Sequence, residues 1–358
     1  MKILEYKVTF LTPAFLGNAE QNGQWRTPPF KALLRQWWRV AYSADKNFNV
    51  DLETMRKEEG LLFGHAWLEN DYQDGKPVSA RKSEIRLRLS QWSEGKLKSY
   101  QGLEQGPVHH PEVEKTKYKI GPHAYLGFGP LDGRQGTKFK EKMNAAIQSS
   151  ESAILTLAIP CSDDHQIEPA LWLMNRYGTL GGRSRNGWGS FSLTPVGNTP
   201  PLIQPDNNVF RDWQHALSLD WPHALGKDRN GSLIWETKRA FDDWKLVMRE
   251  LAEIKIDFRT KFPFSDGKSA HRPEERHWLS YPVTNHSVKS WGNARLPNSL
   301  RFKVVPDKKE AGKLRGLIFH VPCRPPRDFR PEQSTLEQVW GKVHNLLDQN
   351  GKLDRVTP

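Results

Sequence analysis

Residues 25–42 read WRTPPFKALLRQWWRVAY, and this stretch leaves the chain little freedom. Pro28 and Pro29 cannot continue a helix from upstream, yet proline suits a first helical turn, so the pattern predicts a helix opening near Pro29. Phe30, Leu33, Leu34, Trp37, Trp38 and Ala41 then recur at i, i+3, i+4, i+7, i+8 and i+11. That is an apolar helical face which another element has to cover. Lys31, Arg35 and Arg39 recur every fourth residue along another side. Like charges so spaced cost about 0.2–0.5 kcal/mol per pair in an isolated helix. A solvated face bears that cost; an anionic partner removes it.

The whole chain tilts toward the second reading. Over 358 residues, 53 Lys and Arg stand against 41 Asp and Glu, a net charge of +12. A surplus of this size points to a polyanion, nucleic acid before membrane. The 14 tryptophans serve either a core or the stacking of nucleobases. No run of 18 apolar residues occurs, and Glu5 and Lys7 interrupt the apolar N-terminus. Neither a membrane span nor a signal peptide is expected, and the cytoplasm is the default compartment. Cys161 and Cys323 lack metal-ligand spacing, so no zinc, disulfide framework or cofactor is expected. The length predicts two domains.

In chain order, Ile3–Leu11 reads as a strand with Ile3, Tyr6, Val8 and Phe10 near alternation, followed by the helix above. Asp51–Glu59 is a short polar helix, and Glu84–Ser90 a strand with Ile85, Leu87 and Leu89 on one face and Arg86 and Arg88 on the other. Residues 91–152 lack a sustained pattern, too long for an ordinary connection. Between 81 and 142 there are 13 Lys and Arg (among them Lys115, Lys117, Arg134 and Lys142) and 7 acids, interleaved with Tyr118, Tyr125, Phe128 and Phe139. That mixture grips phosphates and stacks bases, or is a solvated loop. Ala153–Pro160 predicts an inner strand, and Pro169–Tyr177 a helix opened by proline.

Gly178–Phe191, GTLGGRSRNGWGSF, joins that helix to a strand, which excludes a dinucleotide loop and a P-loop. Arg183 and Arg185 lie between Gly182 and Gly187, where free backbone N–H groups beside guanidinium groups can cradle a phosphate. A helix C-cap explains Gly178 or Gly181 but not the rest. Thr194–Pro205 is proline-rich and marks the domain boundary. Beyond it, Trp213–Trp221 predicts a strand and Ser232–Ile256 a helix. Leu300–Val305 and Leu314–Val321 predict a hairpin. A last helix carries Leu336, Val339, Trp340, Val343, Leu346 and Leu347 inward, with Ser334 and Glu337 as a capping box and Gly351 closing it.

The first half thus reads β-α-β-β-α-β. LTPAFLG (Leu11–Gly17), RTPPFKALLRQWWR (Arg26–Arg39), LFG (Leu62–Gly64), YLGFG (Tyr125–Gly129) and the glycine loop occur in that order. Together they resemble the RAMP superfamily of CRISPR proteins, most of all the first subunit of the Cmr (type III-B) effector complex. The resemblance covers residues 1–195, with RLPNSLRFKVV (Arg295–Val305) a looser match to a second domain. It implies an α+β chain of two ferredoxin-like (RRM-like) RAMP domains. These would be residues 1–195, with a basic insertion at 91–152, and 206–358, ending in a helix. It further implies a noncatalytic RNA-binding subunit, in contact with the 3′ part of the guide RNA (crRNA), with target RNA and with other RAMP subunits. Carried onto this sequence, RNA contact falls to Arg26, Lys31, Arg35 and Arg39 of the helix and to Gly182, Arg183 and Arg185 of the loop. Ala32 and Asn186 depart from the pattern, where glycine and a basic residue are common.

Two other classes stay open on the sequence. A RAMP endoribonuclease would process guide RNA or cut target RNA, and His109, His110 or His123 could supply general acid–base chemistry, with Asp132 a loop acid. A structural assembly protein would use Lys31, Arg35 and Arg39 for protein salt bridges or leave them in solvent.

Overall fold

The computed structural model describes the chain except residues 67, 105, 115–118, 134–135, 142, 162–163, 206–207 and 357–358. Lys115, Lys117, Tyr118, Arg134 and Lys142 of the basic stretch therefore lie outside the described residues. The architecture is α+β, built as two units of the same chain order. In the first, β1 (Lys2–Phe10), α1 (Thr27–Asp45), β2 (Arg86–Leu89), β3 (Ser152–Ile159), α4 (Asp164–Tyr177) and β4 (Phe191–Pro195) follow in sequence. Among the described residues, α2 (Leu52–Phe63), a single turn at Pro111–Glu114 and α3 (Pro122–Gly127) are inserted between them. The strands pair in the order β4-β1-β3-β2, every pair antiparallel.

Helix α1 buries Phe30, Leu34, Trp37, Trp38 and Ala41, the face its periodicity predicts. Trp38 is wholly enclosed and donates its indole N–H to Gln166 Oε1 at 2.9 Å, so it belongs to the core and not to a stacking surface. In β1 the inward set is Leu4, Tyr6, Val8 and Phe10, while Ile3 is 57% exposed, which restores the strict alternation the sequence blurs. Helix α4 starts at Asp164, with Pro169 inside it and not at its opening.

The second unit runs β5 (Ile234–Thr237), α5 (Trp244–Thr260), β6 (Leu300–Pro306), β7 (Leu314–His320), α6 (Gln333–Asp348) and β8 (Leu353–Arg355). Its strands pair β6-β7-β5-β8, again antiparallel throughout. Four expectations are corrected here. Ser232–Ile256 is not one helix: Ile234–Thr237 is the strand between β7 and β8, and the helix begins at Trp244, where Asp243 caps it by accepting from Lys245 N. Trp213–Trp221 is not a strand but starts with a one-turn helix, Trp213–Ala216, capped by Asp212. The last helix is capped at Glu332 without a side-chain bond, so the Ser334–Glu337 box does not form. That helix is also not the final element, because β8 follows it and pairs with β5.

The units meet along β6. Phe302 N donates to Arg185 O at 3.0 Å and Val304 N to Ser190 Oγ at 2.8 Å. The glycine loop thus covers the edge strand of the second sheet, satisfying donors that would otherwise be open. No described helix is long and apolar enough to cross a membrane.

Candidate nucleic-acid interface

Gly178–Phe191 folds into a tight loop because its glycines go where side chains cannot. Gly181 (φ +91°) and Gly189 (φ +66°) need the left-handed region, and a Cβ at Gly189 would overlap Leu180 O. Arg183 itself takes φ +56°. Gly182 N donates to Phe15 O at 3.0 Å, so its N–H is spent inside the protein and the expected cradle loses that donor. Among the described residues no protein acceptor takes the N–H groups of Arg183, Ser184 or Arg185. Three successive free donors beside two guanidinium groups remain an anion-binding arrangement.

Two of the sequence motifs, LTPAFLG through Phe15 and YLGFG through Leu126 and Gly129, meet at this loop. The Arg183 guanidinium lies against Gly129, where a Cβ would come within 3.2 Å of it. Asn186 donates to Leu126 O at 2.8 Å and accepts from Lys255 Nζ at 2.7 Å. Asn186, the departure from the family pattern, therefore anchors a cation and does not replace one.

Around the loop the structure assembles cations that spacing alone did not single out. Lys255 and Arg259 continue the apolar stripe Trp244–Met248–Leu251 of α5 into the interior, and both are buried. Every residue from Leu300 to Val305 is buried, Arg301 and Lys303 included. Arg301 lies over the Trp37 ring at 5.8 Å and reaches the Gln36 side chain; its Nε has no partner. Lys303 donates to Asn175 O and lies over Phe191. Arg185 donates to Asn298 O at 3.3 Å, Arg259 to Ser280 Oγ at 3.1 Å, and Arg276 to Glu112. Arg295 stands exposed next to Arg183.

Burial disfavours the charges of Lys255, Arg259, Arg301 and Lys303. It lowers Arg301 to about 9, with Arg185 adding repulsion, and takes Lys255 and Lys303 well below the usual lysine range. Arg183 and Arg185 are lowered by the same loss of solvent, Arg183 further by Arg295. Glu112 is the one carboxylate ion-paired with this seam among the described residues, and it bridges Arg276 alone. A buried charge without a counter-charge costs several kcal/mol. An anion entering here would relieve that cost.

The α1 stripe is built differently. Arg39 grips Glu59 of α2 with two hydrogen bonds, 2.7 and 2.9 Å, and Arg35 Nε lies 2.7 Å from the same carboxylate. Burial raises the pKa of Glu59, the two arginines outweigh it, and the net shift is downward. Arg26 donates to Gly17 O at 2.7 Å at the mouth of α1. Lys31 has no protein partner among the described residues, and burial, then Arg35, lowers its pKa. The salt bridges expected of an assembly protein thus exist for Arg35 and Arg39 but not for Lys31.

The histidines considered for acid–base work sit poorly for it. His123 is buried, its Nδ1 bonded to Tyr100 Oη and its Nε2 to Lys245 O, both at 3.0 Å, and burial pushes it down to about 4. His110 is buried with its ring edge-on to Tyr125. Among the described residues no group of three His, Cys, Asp or Glu is placed to hold a metal.

The sequence profile of the RAMP superfamily matches residues 7–192. Among solved structures, Cmr1 from Pyrococcus furiosus (apo form) is similar over 96% of this chain and 97% of its own, at 14% identity and a TM-score of 0.46. A chain of the Type III-B Cmr-beta bound to cognate target RNA and AMPPnP in the presence of ssDNA is similar over 95% of this chain and 99% of its own. There the identity is 12% and the TM-score 0.42. No curated protein matches.

Proposed function

The chain belongs to the RAMP superfamily, whose profile spans more than half of it, and we propose that it is a noncatalytic RNA-binding subunit of a crRNA-guided type III-B (Cmr) effector. In this reading both units are ferredoxin-like RAMP domains, residues 1–195 and 206–358, and RNA phosphates lie along the seam between them. The observation that carries it is the seam itself: Arg183, Arg185, Arg301, Lys255 and Arg259 gathered with no carboxylate paired to them among the described residues. The Cmr assignment rests on the order of the sequence motifs, two of which, LTPAFLG and YLGFG, meet at the glycine loop. Arg183 and Arg185 would hold phosphates directly, with the free N–H groups beside them. Lys31 would add a second basic position for guide or target RNA, with Arg26, Arg35 and Arg39 fixing the helix that carries it, and Gly182, its N–H given to Phe15 O, would shape the loop. Contacts to backbone phosphate carry no base information, so sequence preference is expected to be weak.

The test is filter binding of single-stranded RNA by the purified chain across a salt series, wild type against Arg183→Ala/Arg185→Ala. The double variant is expected to bind about tenfold or more weakly with its thermal unfolding unchanged, since both side chains lie outside the apolar core. Unchanged affinity would remove the proposal. Labelled guide precursor and target RNA, incubated with the chain in EDTA and in magnesium, are expected to stay intact. Cleavage that His109→Ala abolishes would reinstate the endoribonuclease reading.

A further inference from the structure

A cavity of about 710 Å³ opens along the face of α1 that carries Lys31, Arg35 and Arg39. Its walls are the α1 stripe, α2, and the hairpin in which His65–Ala66 pairs with Ala80–Arg81. Two glycines of α2 and its exit shape it. A Cβ on Gly60 would press on the rings and branches of His65 and Leu68 at 3.0–3.4 Å, and one on Gly64 (φ +82°) would strike Ser83 N at 2.7 Å. The glycine of the LFG motif is therefore what lets the hairpin close on α2.

Inside, the charges are unequal. Lys31, Arg35, Arg39, Arg56 and Arg81 line the cavity with Glu59 and Asp220. Glu59 is taken by Arg35 and Arg39, and Asp71 behind the wall is taken by Arg81 with two 2.8 Å hydrogen bonds. Lys31 and Arg56 keep no protein partner among the described residues. The second feature is His65. Its side chain is 6% exposed, and its Nε2 bonds Asp71 Oδ2 at 2.7 Å. Because Asp71 accepts that bond, the neutral ring leaves Nδ1 as an acceptor, and Nδ1 is buried with no partner. Met55, Phe63, Leu68 and Trp221 supply apolar wall.

We propose that this cavity seats one nucleoside monophosphate unit: the phosphate on Lys31 and Arg56, steadied by Arg35 and Arg39, a hydroxyl or amino donor on His65, and the base against the apolar wall. A bare inorganic anion would leave the His65 acceptor and the apolar wall unused. Seams and cavities of this size and lining suit a nucleotide-sized ligand. The unit could arrive free or as one nucleotide of a strand. The RNA-binding reading is needed for the second source but not for the site itself.

The experiment is calorimetric titration of the full chain with AMP, adenosine and inorganic phosphate, then with a short single-stranded oligonucleotide in the presence and absence of AMP. AMP is expected to bind one to one, at least tenfold tighter than phosphate or adenosine. Arg56→Glu, an exposed and unpaired position, is expected to weaken AMP at least tenfold. Arg183→Ala/Arg185→Ala is expected to weaken the oligonucleotide and leave AMP as it was. AMP displacing the oligonucleotide would assign the site to a nucleotide of the strand; simultaneous binding would assign it to a free nucleotide. Absence of saturable AMP binding, phosphate binding as tightly as AMP, or AMP binding indifferent to Arg56→Glu would each overturn the proposal. A chain that binds AMP but no RNA would keep this site and sink the RNA reading.

Discussion

On α1, Arg35 and Arg39 converge on one buried carboxylate, whereas across the seam Arg183, Arg185, Arg301, Lys255 and Arg259 converge on none among the described residues. The residue types are the same, and the sequence marks the α1 group more plainly, by its strict spacing. What separates them is the counter-charge. Glu59 makes the stripe part of the scaffold that fixes α2 on α1, while the seam bears a cost that folding alone does not return. Regular spacing therefore advertised the group that is already half neutralised, and the irregular group holds the free positive charge.

The largest effect expected from breaking this contrast is on the α1 side. Glu59→Gln removes the charge between two guanidinium groups and is expected to cost about 2–3 kcal/mol of stability. That is below the usual figure for a broken buried pair, because both arginines keep a third or more of their surface in water. Chemical denaturation at neutral pH measures it. A neutral outcome would mean the stripe is as uncompensated as the seam.

The seam is expected to answer with the opposite sign. Arg301→Met replaces a buried, unneutralised cation by an apolar chain of similar length and should stabilise the protein by about 1–2 kcal/mol while weakening RNA binding. Loss of stability instead would make Arg301 a structural residue held by Gln36 and the Trp37 ring.

A smaller effect separates the two regions by pH. Glu59 has its folded pKa lowered, so the stability it lends is present above the unfolded value near 4.5 and is lost as pH falls through the folded one. Arg301 is also lowered, to about 9 from 12.5, but for a cation this means the folded state binds fewer protons than the unfolded one across that interval. Stability then climbs as pH rises from about 9, and the advantage of Arg301→Met over wild type should shrink there. Thermal unfolding of both proteins from pH 7 to 10 reads the difference. A constant gap would mean that Arg301 keeps its proton throughout.

Much of the fold could be read from periodicity. The α1 face, the β2 strand with Arg86 and Arg88 outward, and the β6–β7 hairpin all stand where apolar spacing put them. Ile234–Thr237 was lost because four residues are too few to tell a strand from a helical turn, and its place between β7 and β8 is decided by distant partners. The counter-charges were illegible for the same reason. Glu59 lies 20 residues from Arg39, and only the packing of α2 joins them. Arg301 and Lys303 did leave a trace, two cations alternating with Phe302 and Val304 in a strand, as did Lys255 continuing the stripe of α5. A cation at a position the pattern reserves for apolar residues is the signal, and it needs the fold to show that both faces of the strand are covered.

The smallest effect is the most direct test of where free charge resides. If about five phosphates are neutralised, log K for single-stranded RNA should fall with log salt at a slope near −3.5, roughly 0.7 for each phosphate on a single strand. Arg185 brings a full positive charge to the seam, so Arg185→Ala should lower the magnitude of that slope by about 0.7. Arg39 brings its charge already paired to Glu59, with Arg35 left to hold the carboxylate in its absence. Arg39→Ala should therefore leave the slope within about 0.2 of wild type, even if the intercept moves. Equal losses of slope from the two substitutions would mean that RNA pulls Arg39 off Glu59 and uses it, and the division between a scaffold stripe and a binding seam would fall.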